Sequence, residues 1–232
     1  MQRPSEQKSK NYRISPAVIG RLPRYFRYLR KLLESGQMRI SSGELSRMMN
    51  VTASQIRQDF NCFGGFGQQG YGYNVKYLYG KISEILGVEE NYHAVIIGAG
   101  HLGMALCGSP MFDKRGVTLT ALFDVDPDLV GKTVGGLPIY PVSMLQEYLL
   151  SHKTDIAVLT LPRTAAKPTA DKLISLGIRG IWNFTNVELA DKTSGTVIQN
   201  LHIGDTLMQL GYKIRVASPD APQESDGDTP CT

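Results

Sequence analysis

The 232-residue chain carries 25 Lys and Arg against 21 Asp and Glu, with 42% hydrophobic and 20% charged residues, a globular composition with room for two modest domains. No apolar run approaches a membrane span, and the first ten residues lack the apolar core of an export signal, so a cytoplasmic location is expected. Cys62, Cys107 and Cys231 are widely spaced without a CxxC, which argues against a disulfide framework and a zinc site, and no metal is expected.

Charge is unevenly placed. Residues 1–81 hold 14 Lys and Arg against Glu6, Glu34, Glu44 and Asp59, a balance of +10, whereas the remainder holds 11 against 17, a balance of −6. Such a division suggests that the first part meets a polyanion, although a solvated basic face would give the same count.

Residues 1–13 read as a flexible segment. From Ile14 to Gly36 apolar Leu22, Phe26, Leu29 and Leu33 recur at helical steps, with Arg24, Arg27, Arg30 and Lys31 between them. Ser41-Ser-Gly-Glu44 matches a capping box and starts a short helix through Leu45, Met48 and Met49, the two methionines reading as core filler. After a three-residue turn at Asn50-Val51-Thr52, Thr52 caps a second helix, Ala53 to Phe60. Helix, tight turn, helix at this spacing is the helix-turn-helix pattern. Its second helix would present Ser54, Gln55, Arg57 and Gln58 to DNA base edges, with Ile56 and Phe60 in the core. Gly64 to Tyr73 reads as two short strands around a glycine-rich turn, a wing carrying Gln68 and Tyr71. Arg24, Gln68 and Tyr71 join the DNA-binding candidates. The alternative is a helical protein-interaction module with a flexible hinge. Cys62, near the end of the recognition helix, reads as a small buried packing residue.

A second domain follows, over residues 83–199 after a winged-helix domain over 14–82. Ala94-Val-Ile-Ile97 reads as a buried strand, and Gly98-Ala99-Gly100-His101-Leu102-Gly103 follows it into a helix. In such a loop the first glycine makes the tight turn, the second admits a pyrophosphate, and the third lets helix and strand pack closely. Asp124 ends a second strand-like run, Val117 to Asp124. A carboxylate there binds both ribose hydroxyls and repels a 2′-phosphate, which favours NAD(H) over NADP(H). A glycine-rich turn without a ligand is the other reading. The predicted architecture is α/β: a winged helix-turn-helix domain, then a Rossmann-type parallel-sheet domain, then a C-terminal helix region over 200–216 with Leu207, Met208 and Leu210 on its apolar face. Residues 217–232 read as a disordered tail.

Val51-Thr-Ala-Ser-Gln-Ile-Arg-Gln-Asp-Phe60, the wing, the Gly98–Gly103 loop, Phe123-Asp-Val-Asp-Pro127, Thr160-Leu-Pro-Arg163 and Gly180-Ile-Trp-Asn-Phe184 together resemble the Rex family of redox-sensing repressors, over roughly residues 14 to 214. The resemblance implies a homodimer that binds a palindromic operator, is released by NADH and tolerates NAD, and swaps a C-terminal helix between protomers. It also implies that Asp124, Val125 and Asp126 surround the adenosine ribose. Thr160, Leu161 and Pro162 would line the crevice, and Asn183, Phe184 and Thr185 would flank the nicotinamide. The sequence departs from the family pattern at Ser109, His202 and Ile203, where Tyr, Asp and Phe can occur. His202 reads as a solvated or hydrogen-bonded histidine.

Two rival classes have their own requirements. An NAD-dependent dehydrogenase needs a general acid or base beside the nicotinamide and a substrate domain. The chain offers only His93, His101, His152 and His202 as histidines and no residues for such a domain, so no catalytic residue is assigned. A CoA- or nucleotide-binding regulatory subunit would lack salt-dependent binding to duplex DNA.

Overall fold

In the computed structural model of the chain, residues 14–64, 67–68 and 71–217 are described, with the backbone alone for 67 and 68. The expected flexible segments at 1–13 and 217–232, except Ala217, which ends the last helix, and Gly65, Phe66, Gln69 and Gly70 of the wing, lie outside the described residues. The chain divides into two compact units, Met1–Glu90 and Asn91–Thr232. The division falls later than residue 82 because the helix spanning that position runs on to Leu86.

In the N-terminal unit, helix α1 (Pro16–Glu34) begins at the Ser15 cap and buries Val18, Leu22, Tyr25, Phe26, Leu29 and Leu32. Strand β1 (Arg39–Ile40) leads into α2 (Ser42–Met49), where the capping box forms as the sequence requires: Glu44 N–H donates to Ser41 Oγ at 3.1 Å, and Ser41 N–H to Glu44 Oε2 at 2.8 Å. Asn50 closes α2 in the left-handed conformation (φ 50°), and the Thr52 hydroxyl caps α3 (Ala53–Asn61) by accepting from Gln55 N–H at 3.1 Å. Strands β2 (Gly67–Gln68) and β3 (Gly72–Asn74) form the wing in an antiparallel sheet of order β1-β3-β2, and α4 (Val75–Leu86) follows. Leu22, Tyr25, Leu29, Leu45, Met49, Ile56, Phe60, Phe63, Leu78 and Ile82 form the core. Met48 differs from expectation and is exposed: Leu45 and Met49, one helical turn apart, take the core face. Cys62 is likewise exposed rather than packed inside, its Sγ 3.3 Å from Gln58 O.

One buried charge ties α3 to α1. Asp59, 1% exposed, accepts from Arg21 Nε and Nη2 at 2.7 Å each, from Tyr25 Oη at 2.8 Å and from Gln55 Nε2 at 2.8 Å. Burial pushes the Asp59 carboxyl up, but the bonds from Arg21, Tyr25 and Gln55 outweigh it and hold the pKa below the ordinary value. Burial, then the bond to Asp59, drives the Tyr25 hydroxyl upward.

In the C-terminal unit, the described strands form a seven-stranded sheet of order β10-β9-β8-β4-β5-β7-β6, parallel except at the β6–β7 hairpin. These are β4 (Tyr92–Ile97), β5 (Val117–Asp124), β6 (Thr133–Val134), β7 (Leu137–Pro141), β8 (Ile156–Leu159), β9 (Gly180–Asn183) and β10 (Val197–Asn200). Helices α5 (His101–Cys107), α6 (Leu145–Ser151) and α7 (Arg163–Ser175) cover it. Burial alternates along the central strands. Val95, Ile97, Ala157 and Leu159 pack with α6 and α7, while Ile96 and Val158 pack on the face that holds Leu106 and Cys107 of α5. The last helix, α8 (Ile203–Ala217), has no buried residue, and Leu207 and Met208 are both 70% exposed. No helix among the described residues is long and apolar enough to cross a membrane.

At the amino ends of the strands a second buried carboxylate, Asp155, accepts from Arg179 Nη1 at 2.8 Å and His93 N–H at 3.0 Å. Burial raises its pKa, but those bonds and the charges of Lys153 and Arg179 bring it below the ordinary value. Both aspartates therefore bind fewer protons folded than unfolded. Their stabilisation is complete above about pH 4 and is lost as pH falls further, through the depressed folded values. Urea midpoints measured at pH 6 and pH 3 are expected to show this drop. Asp59→Ala removes the partner of Arg21 and is expected to cost about 3 kcal/mol, at the low end for such pairs because Arg21 is one-third exposed. The same variant should blunt the acid response in the urea series.

Candidate functional site

Strand β4 pairs with β5 on one side and β8 on the other, so the strand order reverses there. Open α/β sheets place ligands beyond the carboxyl ends of the strands at such a point. A cavity of about 510 Å³ occupies it, lined by Ile97, Gly98 and Gly100 after β4, by Asp124, Val125 and Asp126 after β5, and by Thr160, Leu161 and Pro162 after β8.

The glycines divide by role. Gly98 has φ +102°, and a Cβ there would stand 2.5 Å from Thr160 O. At Gly103 a Cβ would stand 2.0 Å from Gly98 O. At Gly100, by contrast, a Cβ meets nothing within 4 Å. Backbone packing therefore demands Gly98 and Gly103, whereas Gly100 faces open space where a ligand backbone could approach. The Thr160 hydroxyl completes the turn by donating to Gly98 O at 2.7 Å.

Asp124 stands at the rim with its carboxylate fixed by backbone donors. Oδ2 accepts from Ala99 N–H, while Oδ1 accepts from Val125 N–H at 2.7 Å and Asp126 N–H at 2.9 Å. A carboxylate so held can still accept from hydroxyls and repels a phosphate. His101 and Leu102 are exposed at the start of α5 and Ala99 is buried; none of the three lines the cavity.

The structure does not bring Asn183, Phe184 and Thr185 to this lining. Asn183 is fully buried: its Nδ2 donates to Val187 O and Asn200 Oδ1, both at 2.7 Å, and its Oδ1 accepts from Thr185 N–H and Oγ1. Phe184 packs on Trp182 with ring centroids 4.5 Å apart. These side chains brace the ends of β9 and β10. Beyond them, His202 Nε2 lies 2.9 Å from Glu188 Oε2, a hydrogen-bonded histidine as expected. Ser109 Oγ accepts from Met111 N–H at 3.3 Å.

Leu129, Val142, Ala165 and Thr169 also line the cavity and were not picked out by sequence reasoning. Val142 follows β7 and obeys the same carboxyl-end rule that selects Thr160. Ala165 and Thr169 face the cavity from α7, and no sequence signal marks which helical residues turn that way.

In the N-terminal unit, Ser54, Arg57 and Gln58 lie exposed on α3, while Gln55 is half-buried and tied to Asp59. Arg57 Nη1 reaches Ser42 Oγ at 3.2 Å, and Arg24 donates to Met49 O at the end of α2. Tyr71 is exposed on the wing, with the Arg39 guanidinium 5.9 Å from its ring; the side chain of Gln68 lies outside the described residues. Arg39, which sequence reasoning passed over, joins the wing by donating to Tyr71 O at 3.2 Å. Among the described residues no cluster of His, Cys, Asp and Glu could hold a metal ion.

A basic winged helix-turn-helix and a switch-point cavity with a glycine loop, carried on one chain, define a nucleotide-responsive DNA-binding regulator. Residues 13–61 match the family described as putative DNA-binding protein N-terminus, and residues 89–187 the CoA binding domain family. The redox-sensing transcriptional repressor Rex of Caldicellulosiruptor bescii is 49% identical over 207 residues, 89% of this chain and 94% of that protein. Rex of Thermoanaerobacter pseudethanolicus is 45% identical over 206 residues, 89% of this chain and 92% of that one. A crystal structure of RSP with β-NAD+ and operator DNA superposes with TM-score 0.82 at 44% identity, covering 90% of this chain and 94% of that chain. RSP with β-NADH gives 0.80 at 42% identity, covering 88% and 95%. The chain belongs to the Rex family of redox-sensing transcriptional repressors.

Gly103→Ala forces a Cβ against a carbonyl and is expected to cost about 3 kcal/mol, whereas Gly100→Ala should change stability by less than about 1 kcal/mol. Differential scanning calorimetry of the two variants checks the contrast.

Proposed function

We propose that this chain is a homodimeric repressor that binds a palindromic operator through α3 and the wing and leaves it when NADH fills the switch-point cavity. The observation that carries the reading is the pairing on one chain of the exposed Ser54–Arg57–Gln58 face with a cavity that joins Gly100, Asp124 and Thr160. The names of the relatives, repressors rather than dehydrogenases, favour regulation over turnover. The structures of RSP with β-NAD+ and operator DNA, and with β-NADH, support the same pair of ligands here.

In this reading the Gly98–Gly103 loop holds the pyrophosphate and Asp124, with Val125 and Asp126, holds the adenosine ribose. Thr160, Leu161 and Pro162 form the opposite wall, and the backbone of Asn183, Phe184 and Thr185 stands on the nicotinamide side. Ser54, Gln55, Arg57 and Gln58 read the major groove, with Arg24, Gln68 and Tyr71 on the flanking backbone and minor groove. Dimerisation through α8, by exchange between protomers, would cover Leu207, Met208 and Leu210, which are exposed in the single chain. Action on operator DNA would have the protein work in the cytoplasm. Two recognition helices must meet half-sites about one helical turn, roughly 34 Å, apart, so a small change in their separation releases the duplex. Each dinucleotide shifts that equilibrium only by its differential affinity for the bound and released conformations.

The test is a fluorescence-anisotropy titration of a palindromic A·T-rich duplex with NAD or NADH added. Release by NADH with NAD tolerated is expected, with affinity falling steeply with salt. Asp124→Asn should weaken NADH binding about tenfold and narrow the preference over NADPH. Binding indifferent to both dinucleotides would sink the sensor, and displacement by CoA but not NADH would favour a different nucleotide.

A further inference from the structure

Asp59 does more than pin α3 to α1. Its two oxygens take four hydrogen bonds: Oδ1 from Arg21 Nη2 and Gln55 Nε2, and Oδ2 from Arg21 Nε and Tyr25 Oη. Three of these come from α1 and fix the carboxylate, while the fourth comes from the first turn of α3, one residue after exposed Ser54. An ionised carboxylate only accepts. The amide facing it must therefore turn its nitrogen inward, which fixes the places of the two groups Asp59 does not use, the carbonyl Oε1 and the second Nε2–H. Among the described residues Oε1 makes no hydrogen bond, and Gln55 is only half-buried. A free glutamine amide can turn over and exchange its donor and acceptor sides; in this one Oε1 and the remaining N–H keep fixed places.

We infer that Asp59 is a positioning residue for sequence readout: by holding Gln55 Nε2 it fixes where Oε1 stands as an acceptor, so the chain selects a base bearing an exocyclic amine at the point where Oε1 meets the major groove. Adenine N6 and cytosine N4 offer that amine, whereas guanine O6 and thymine O4 are acceptors that would oppose Oε1. The inference rests on the DNA-binding reading above and adds to it a base preference and the residue that sets it.

The experiment starts with full-length protein selecting duplexes from a randomised palindromic library, followed by binding to the selected duplex with each half-site base pair changed in turn. Wild type, D59N, Q55A and the double variant are compared. Wild type should prefer adenine or cytosine over guanine or thymine on one strand at one position of each half-site, by about tenfold. Q55A should flatten that position alone. D59N, whose amide can offer Gln55 a donor or an acceptor, should flatten the same position to within about threefold while keeping wild-type affinity for a scrambled duplex, and the double variant should match the singles.

Uniform weakening by D59N on every duplex would reduce Asp59 to a structural residue and overturn the inference. A preference for guanine or thymine would do the same, as would a Q55A variant with every preference intact; in each of these cases DNA binding itself stands. If wild type enriches no duplex, the DNA-binding reading fails first. Should D59N not fold, the side-chain amide of Gln55 in wild type decides by NMR, its signal identified by loss in Q55A. Slowed exchange and a shift away from solvent-exposed glutamines are expected, and a free-glutamine signal overturns the assignment.

Discussion

The hydrogen bond from the Thr160 hydroxyl to the carbonyl of Gly98 holds together the centre of the C-terminal unit. Strands β4 and β8 lie side by side, yet the helices that follow them pack on opposite faces of the sheet. The chain therefore parts at this point, and a crevice opens as a matter of topology. What the topology does not provide is a narrow, rigid floor. That comes from the close approach of the two strand ends, which leaves no room for a side chain at Gly98 or Gly103 and fixes where Ala99 and Gly100 stand. Asp124 then ties the third strand end to the same turn through Ala99 N–H.

The two buried aspartates use one physical device for different ends. An acceptor-only group inside the protein is costly unless donors surround it, so wherever it is buried it prescribes the partners around it. Asp155 draws the start of β4 and the approach to β9 onto the amino end of β8, setting the register of the parallel strands. Asp59 draws together α1 and the first turn of α3.

Local rules left clear marks in the sequence, and long-range ones did not. Ser41 with Glu44, Thr52, and the apolar spacing of Leu22, Phe26 and Leu29 each act within a turn or two, so the helix-turn-helix was legible from them. The glycine loop was legible because a tight turn after a β-branched strand has few solutions. The structural bonds of Asn183 were not legible for a physical reason: the end of β9 is a ligand-facing position by topology, but its amide is matched to Val187 and Asn200, and the second pairing depends on a contact 17 residues away. Met48 and Cys62 were misplaced because helical phase within one or two residues decides burial. The contribution of α7 to the cavity had no local signature at all.

Helix α8 has a consequence in the thermodynamics of the whole molecule. Its lead-in is anchored, since Asn200 is held by Asn183 and Leu189 and His202 by Glu188, but the helix itself rests on none of the described core. The free energy of covering it is therefore absent from the folded single chain and enters by mass action when a second surface arrives. If that second surface is another copy, as in the proposed dimer, dilution would act as a mild denaturant, and the apparent melting temperature would become a function of how many copies share the solution.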